Sequence, residues 1–543
     1  MSKTPSIPSQ SPGTLTERQL SWLTVAALWL LLLVLASLRP LAVPDEGRYG
    51  EIGRWMLISG DWLTPRLNGI PFFHKPPLLY WLDAISLGIL GVNELAVRLV
   101  PALHAGLMLS ALYLAARTVS TEKIARRAVI MLGTSLGFLV GGQYVNHDML
   151  VATWIGMAIW CFAFAFVAGD KPHAGLARLG FLACALGMLS KGLIGIALPG
   201  LVLLLWLIWT RQFKKVLHLP WFSGLLLFGV VALPWFVLAQ RAYPDFFNYM
   251  FIGQQFHRYT ATSYNNPQPW WFYLLSLALL LFPWVFFALG QVRRVTTMTL
   301  TSAIGMEAVW WRLCWVWVVA ILAFFSIPNS KLVGYILPVL PPLALLGALG
   351  WQRTMGHRPV ADRLLIGLCV LNIGIALALV LKVGDVTRAS RSQDLAAVLA
   401  CAAAPTDTVY VSDAYPYDLP FYAQTSKQLV VLENWPMLRK QVGDGWQREL
   451  FEGADFDAQA AQALQPTEVL DQVAGTPGNW FVGRDGSQMA RQLDGWTLHF
   501  KGAGWNLYRS GSETAGASAT KGPETAQHKG LPGCKDQRHK QGQ

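Results

Sequence analysis

Asp45 and Glu46 stand side by side in Arg39-Pro-Leu-Ala-Val-Pro-Asp45-Glu46-Gly-Arg48-Tyr49, and His74-Lys75-Pro-Pro closes the same polar stretch. Carboxylates of this kind can orient a sugar hydroxyl or take its proton. Cations can neutralise a phosphate as a bond to it breaks. The combination suits a sugar phosphate. The same charges also suit a plain solvated connector, because loops often carry charge. The stretch follows one long apolar run and precedes many others, so its position has to be weighed with its chemistry.

Those apolar runs decide the class. Hydrophobic residues make up 53% of the chain and charged residues 14%, with 24 Trp. A soluble domain averages roughly 25% charged residues. Several runs reach the ~20 residues that cross a bilayer. The chain reads as an all-α polytopic membrane protein. Its net charge of +12 fits Lys and Arg gathered in cytoplasmic loops, so no nucleic-acid partner is inferred. The 6 cysteines include no Cys-x-x-Cys pair, which leaves a cysteine-based zinc or redox site without support.

Residues 1–20 are polar and predicted to be disordered. The transmembrane domain is placed at 21–382, with a first span near Trp22–Leu38. No small-residue cleavage site follows that span, so it is expected to be retained. Within the charged stretch, a helix over Glu46–Ile58 puts Tyr49, Ile52, Trp55 and Met56 on one face. Pro76–Gly91 is apolar but short. Both are expected as interfacial helices. Further spans are expected near 95–116, 128–143, 149–168, 177–190, 192–209, 221–240, 270–290, 311–326, 333–350 and 364–381. Hydropathy thus counts about eleven spans, within a range of about 11–13. No internal repeat is visible, so a transporter built from inverted halves gains nothing.

Alternate loops hold Lys123, Arg126 and Arg127, then Lys171 and Arg178, then Arg211, Lys214 and Lys215, then Arg293, Arg294 and Arg312, then Arg353, Arg358 and Arg363. Apart from the long first loop, the other set is poor in Lys and Arg. The positive-inside rule therefore puts the N-terminus in the cytoplasm and the Asp45 loop outside. An odd number of spans carries residues 383–510 outside as well. There Leu395–Ala404 reads as a helix, and Thr408–Val411, Gln428–Leu432 and Trp480–Val482 as strands. Trp496–Phe500 with Trp505–Tyr508 reads as a closing hairpin. A small C-terminal α/β periplasmic domain is expected, followed by a disordered tail at 511–543.

Polar residues at the span ends gather on that same outer face. They are Asp148 in Asn146-His147-Asp148, Lys191 in Ser190-Lys191-Gly192, His257 and Arg258 in the third outer loop, and Lys331 and Tyr335 in the fourth. Ionisable groups at membrane depth are costly unless paired or wet. Singly, each reads as a snorkelling or capping residue. As a set on one face, they read as a site for an anionic, lipid-linked substrate.

These residues carry a family resemblance. The chain resembles the polyprenyl-phosphate-dependent glycosyltransferases of the GT-C type, and among them the lipid A aminoarabinose transferases within the protein O-mannosyltransferase superfamily. The matching stretches are Pro44-Asp45-Glu46-Gly-Arg48-Tyr49, Gly60-Asp61-Trp62-Leu-Thr-Pro-Arg66-Leu-Asn68-Gly, His74-Lys75-Pro76-Pro77-Leu-Leu-Tyr80-Trp81, Asn146-His147-Asp148, Ser190-Lys191-Gly192 and Ser330-Lys331-Leu-Val-Gly-Tyr335-Ile-Leu-Pro338. The resemblance covers residues 22 to about 350. As a set these motifs are specific, whereas Pro-Asp-Glu alone is weak.

The resemblance implies transfer of a sugar from undecaprenyl phosphate, with inversion, to an acceptor outside the inner membrane. In the closest branch that acceptor is a lipid A phosphate. It implies Asp45 as the catalytic carboxylate and Asp148 as a second one. Lys75, Lys191 and Arg258 bind the carrier phosphate in this reading. Glu46, Arg48, Tyr49, Lys331 and Tyr335 line the substrate. The donor, lipid A or another envelope acceptor, and membrane lipids are the implied partners.

Two departures stand out. The family pattern often has Glu before Lys-Pro-Pro, where this chain has His74, and Glu-His in the third outer loop, where it has Gln254-Gln255. Those family positions go with a divalent metal, so zinc is in doubt, and His74 with His257 is the pair that could rebuild a site. Rival readings are the same chemistry on protein hydroxyls or another envelope glycan, a lipid-linked sugar flippase, and a non-catalytic scaffold. A flippase should line its path with polar groups through the membrane depth.

Overall fold

The computed structural model describes residues 15–257, 266–292, 306–441, 443, 445–487, 489 and 493–511. The expected N-terminal segment lies outside these residues up to residue 14, as does the expected tail beyond residue 511. The first helix is Glu17–Ala36, which starts before Trp22 because Thr16 and Gln19 close a capping box. Glu17 adds a negative charge to that first turn.

Eight helices among the described residues are long and apolar enough to cross a membrane. Three further expected spans are present in other forms. Ile194–Trp209 is a shorter apolar helix. The run near 128–143 is divided into Glu122–Gly133 and Leu136–Gly141, because Ser135 caps a new helix through the Phe138 N–H. The run near 270–290 is divided into Phe272–Leu280 and Trp284–Leu289, with Pro283 between them. The helices share one apolar core in which Trp206, Trp284, Trp317 and Trp351 are fully buried. The chain is a multi-pass membrane protein.

The charged stretch after the first span folds into short, well-terminated pieces. Helix Asp45–Ser59 ends at Gly60, whose φ of 68° satisfies a left-handed cap. Arg66–Leu67 and Ile70–Pro71 form a hairpin through Asn68 and Gly69, both at positive φ, as an Asn-Gly turn requires. Helix Leu78–Leu90 follows Pro77. Both expected interfacial helices are thus present.

The C-terminal sheet has six strands in the spatial order Leu464–Gln465, Val430–Leu432, Thr408–Ser412, Asn479–Arg484, Trp505–Ser510 and Trp496–Lys501. The first four run parallel and the last two add antiparallel. Each expected strand and the closing hairpin are there, as is the helix, at Gln393–Ala402. Cys161, Cys184, Cys314 and Cys369 are free thiols, and Cys401 is disulfide-bonded.

This domain does not hang free. Leu41, Tyr49, Ile52, Met56, Leu67 and Ile70 of the first loop share a core with Val411, Tyr417, Phe421 and Trp480. Asn68, 1% exposed, exchanges two hydrogen bonds with Leu429, at 2.9 and 2.8 Å. Arg54 donates to the Thr425 carbonyl at 2.7 Å, and Arg66 pairs with Asp457 at 2.8 Å. Gly47 lies so close to Tyr417 and Asp418 that a Cβ there would come within 3.0 Å of their backbone.

Candidate active site

Asp45 and Glu46 open the same helix and point to different surroundings, because one residue turns a helix by about 100°. Glu46 is 0% exposed. Arg39 holds it from one side and Arg98 from the other, the latter at 3.1 and 2.8 Å. The N–H groups of Ala42 and Val145 donate to it at 2.7 and 3.2 Å. Burial alone would raise its pKa, but Arg98 and Arg39 outweigh burial and hold the carboxyl at about 2. Glu46 therefore ties the first loop to the helix Glu94–Val119 and is fully buried in that network.

Asp45 keeps a 37% exposed side chain. It accepts a hydrogen bond from the Tyr144 hydroxyl at 3.2 Å and lies 3.7 Å from Arg48. Arg48 pairs with Glu449 of the C-terminal domain at 3.0 Å and stacks over the rings of Tyr417 at 4.7 Å and Tyr49 at 5.7 Å. Burial pushes the Tyr49 phenol well above its ordinary range, and the nearby carboxylates of Asp45, Glu449 and Asp148 add to this against the opposing charge of Arg48. Tyr49 thus stays a proton donor between both carboxylates proposed to act.

Asp148 comes from the start of the helix His147–Val167, which Asn146 caps by accepting from the Asp148 N–H at 2.9 Å. Its carboxylate takes a hydrogen bond from the Asn146 amide at 3.1 Å and an ion pair from Lys191. The Lys191 ammonium also sits 4.3 Å from the Tyr335 ring centre, a cation–π contact. Gly334 makes this arrangement possible, since a Cβ there would overlap the Asp148 carboxylate. His147 packs edge-on against Tyr49 at 4.9 Å and Tyr80 at 5.2 Å. Lys75 and Lys191 are both near enough to act on its ring by charge.

Asp45, Arg48, Tyr49, Lys75, Asp148, Lys191 and Tyr335 therefore converge at one end of the bundle. Lys331 is there for another reason. It is 3% exposed, and its ammonium donates to the carbonyls of Pro328 at 2.6 Å and Gln268 at 3.0 Å, pinning two loops together. Arg258 lies outside the described residues, as does the side chain of His257. His74 stacks on Phe72 at 4.5 Å and meets Tyr249 edge-on at 5.9 Å. Among the described residues no group of three His, Cys, Asp or Glu is placed to hold a metal. Aromatic packing around one described imidazole does not make the donor set that zinc needs.

Reading the sequence passed over Tyr144, Gly334, Arg98 and Glu449. Arg98 carried a signal, as a charge in the first turn of an apolar span. Glu449 carried none, since it lies on an ordinary amphipathic helix.

Known proteins are similar to this chain in sequence and fold. Residues 21–250 match the family model described as dolichyl-phosphate-mannose-protein mannosyltransferase. A protein of Pseudomonas paraeruginosa named undecaprenyl phosphate-alpha-4-amino-4-deoxy-L-arabinose arabinosyl transferase is 32% identical over 371 residues, 66% of this chain and 64% of that protein. A protein of the same name from Pseudomonas aeruginosa is 32% identical over 373 residues, 67% of this chain and 65% of that protein. The match thus spans just under two thirds of these relatives' own length. The crystal structure of ArnT from Cupriavidus metallidurans bound to undecaprenyl phosphate aligns with a TM-score of 0.74 at 24% identity, covering 92% of this chain and 99% of that one. Its apo structure aligns with a TM-score of 0.73 at 23% identity. By its matched segment this chain is similar to the dolichyl-phosphate-mannose-protein mannosyltransferases and to the aminoarabinose transferases, and it shares its fold with ArnT.

Proposed function

We propose that this chain is a glycosyltransferase that moves a sugar from an undecaprenyl-phosphate carrier to a phosphate of lipid A, with inversion, at the periplasmic face of the inner membrane. The observation that carries the reading is the convergence of Asp45, Asp148, Lys191 and Lys75, from four separate segments, around Tyr49 and His147. The names of the relatives support the carrier and the sugar class. The cationic loops gathered at the opposite end of the bundle support a periplasmic site.

The chemistry follows from the charges. As the glycosidic bond breaks, its electron pair leaves with the carrier phosphate, and Lys75, Lys191 and Arg258 stabilise that developing charge. A phosphate oxygen of the acceptor attacks the anomeric carbon from the opposite face. Such an acceptor is already a nucleophile, so Asp45 serves to orient the sugar and support positive charge at its ring. On a hydroxyl acceptor, Asp45 would instead take the proton.

Mass spectrometry of lipid A from cells with the wild-type gene, without it, and with Asp45→Asn tests the reading. The expected result is an added sugar in the first case only, with turnover of the variant lowered by about 10²- to 10⁴-fold. An unchanged lipid A profile in all three rejects the acceptor. Undiminished transfer by purified Asp45→Asn rejects the site.

A further inference from the structure

The C-terminal helix Trp446–Ala454 lies against the site with an acidic face. Glu449 pairs with Arg48 at 3.0 Å and accepts from the Tyr417 hydroxyl at 2.9 Å. Glu452 accepts from the Tyr249 hydroxyl at 2.9 Å, and Gln254 donates to it at 3.5 Å. Gly453 is packed on the Pro71 carbonyl, where a Cβ would overlap it. The same helix thus touches three segments that surround the cluster.

Arg48 is the link that matters. One guanidinium nitrogen faces both Glu449, at 3.0 Å, and Asp45, at 3.7 Å. The nearer carboxylate belongs to the other domain, and the Tyr417 ring lies beneath the guanidinium. Without Glu449, Asp45 is the carboxylate left beside the cation among the described residues, and that contact would close. A closed Arg48–Asp45 pair would occupy the carboxylate that otherwise remains the most exposed of the cluster.

We infer that Glu449 is a positioning residue: by holding Arg48 it keeps the Asp45 carboxylate open toward the bound sugar. The inference rests on the transfer reaction proposed above. It gives the C-terminal domain a part in turnover, beyond packing.

The test uses purified full-length protein, an undecaprenyl-phosphate sugar and lipid A, with binding of undecaprenyl phosphate measured in parallel. Glu449→Gln is expected to lower kcat by about 10- to 100-fold, the scale of a misplaced catalytic group, while carrier binding stays within about twofold. Glu449→Asp should recover part of the loss. In an Arg48→Gln background, Glu449→Gln should add nothing, because it has lost the group through which it acts. Asp457→Asn breaks a pair at the same domain interface away from Arg48 and should leave kcat unchanged. Normal kcat in Glu449→Gln, equal losses in Asp457→Asn, or losses that multiply in the double variant would each overturn the inference alone. A wild-type chain that transfers no lipid-linked sugar overturns the underlying reaction, and the inference with it.

Discussion

Both ends of the helix bundle carry ion pairs, and the two sets differ in their surroundings. At the site end, Glu46 and Arg98 are each 0% exposed, and Asp148 and Lys191 are nearly as deep. At the opposite end, Arg126 pairs with Glu17 and Arg127 with Asp362, yet those two carboxylates are 69% and 73% exposed. A buried charge that loses its partner is stranded in a medium that cannot solvate it, whereas an exposed one is taken up by water. The comparison teaches that the site-end carboxylates depend on their protein partners, whereas those at the other end have water as an alternative.

Substitutions at matched positions can break that contrast. Glu46→Gln should have the largest effect on stability, about 3–5 kcal/mol, because two guanidinium groups lose a shared buried carboxylate. Unfolding by denaturant in detergent measures it, and a change under 1 kcal/mol would erase the difference between the ends. The same group predicts a pH effect. Its folded pKa of about 2 lies below the ordinary 4.5, so its contribution is complete above pH 4.5 and drains away as pH falls toward 2. Wild type should lose about 3 kcal/mol of its advantage over Glu46→Gln across that window, and thermal melts of both proteins at stepped pH will show whether the curves converge.

Gly334→Ala comes next. Its new Cβ meets the Asp148 carboxylate, and forcing that side chain aside should cost about 1–3 kcal/mol. Sugar transfer should fall with it, and full activity in this variant would mean that the Asp148–Lys191 pair tolerates displacement. The smallest effect is expected at the other end, where Glu17→Gln should change stability by about 1 kcal/mol or less, because its carboxylate is 69% exposed. A larger shift in the same melts would show that the exposed pairs are structural after all.

Much of this organisation was legible in the chain. The spans and the strands of the C-terminal domain follow from hydropathy and alternation. The cluster of Asp45, Lys75, Asp148 and Lys191 follows from which loops share a face. The burial of Glu46 was not legible, because a pair of adjacent carboxylates looks the same in sequence whether a helix turns one inward or not. The burial of Lys331 was not legible, because nothing in its neighbours announces that the carbonyls of Pro328 and Gln268 will close around it. Glu449 was invisible, since its meaning depends on an arginine in a distant part of the chain.

That last dependence extends to assembly. Asn68 and Leu429, which exchange hydrogen bonds, are 361 residues apart, and Arg54 waits for the Thr425 carbonyl over a separation of 371. A ribosome makes the loop more than 360 residues before these partners, so its polar interior has nothing to close on until the C-terminal domain has been synthesised. The loop and the domain that completes it are therefore made at well-separated times.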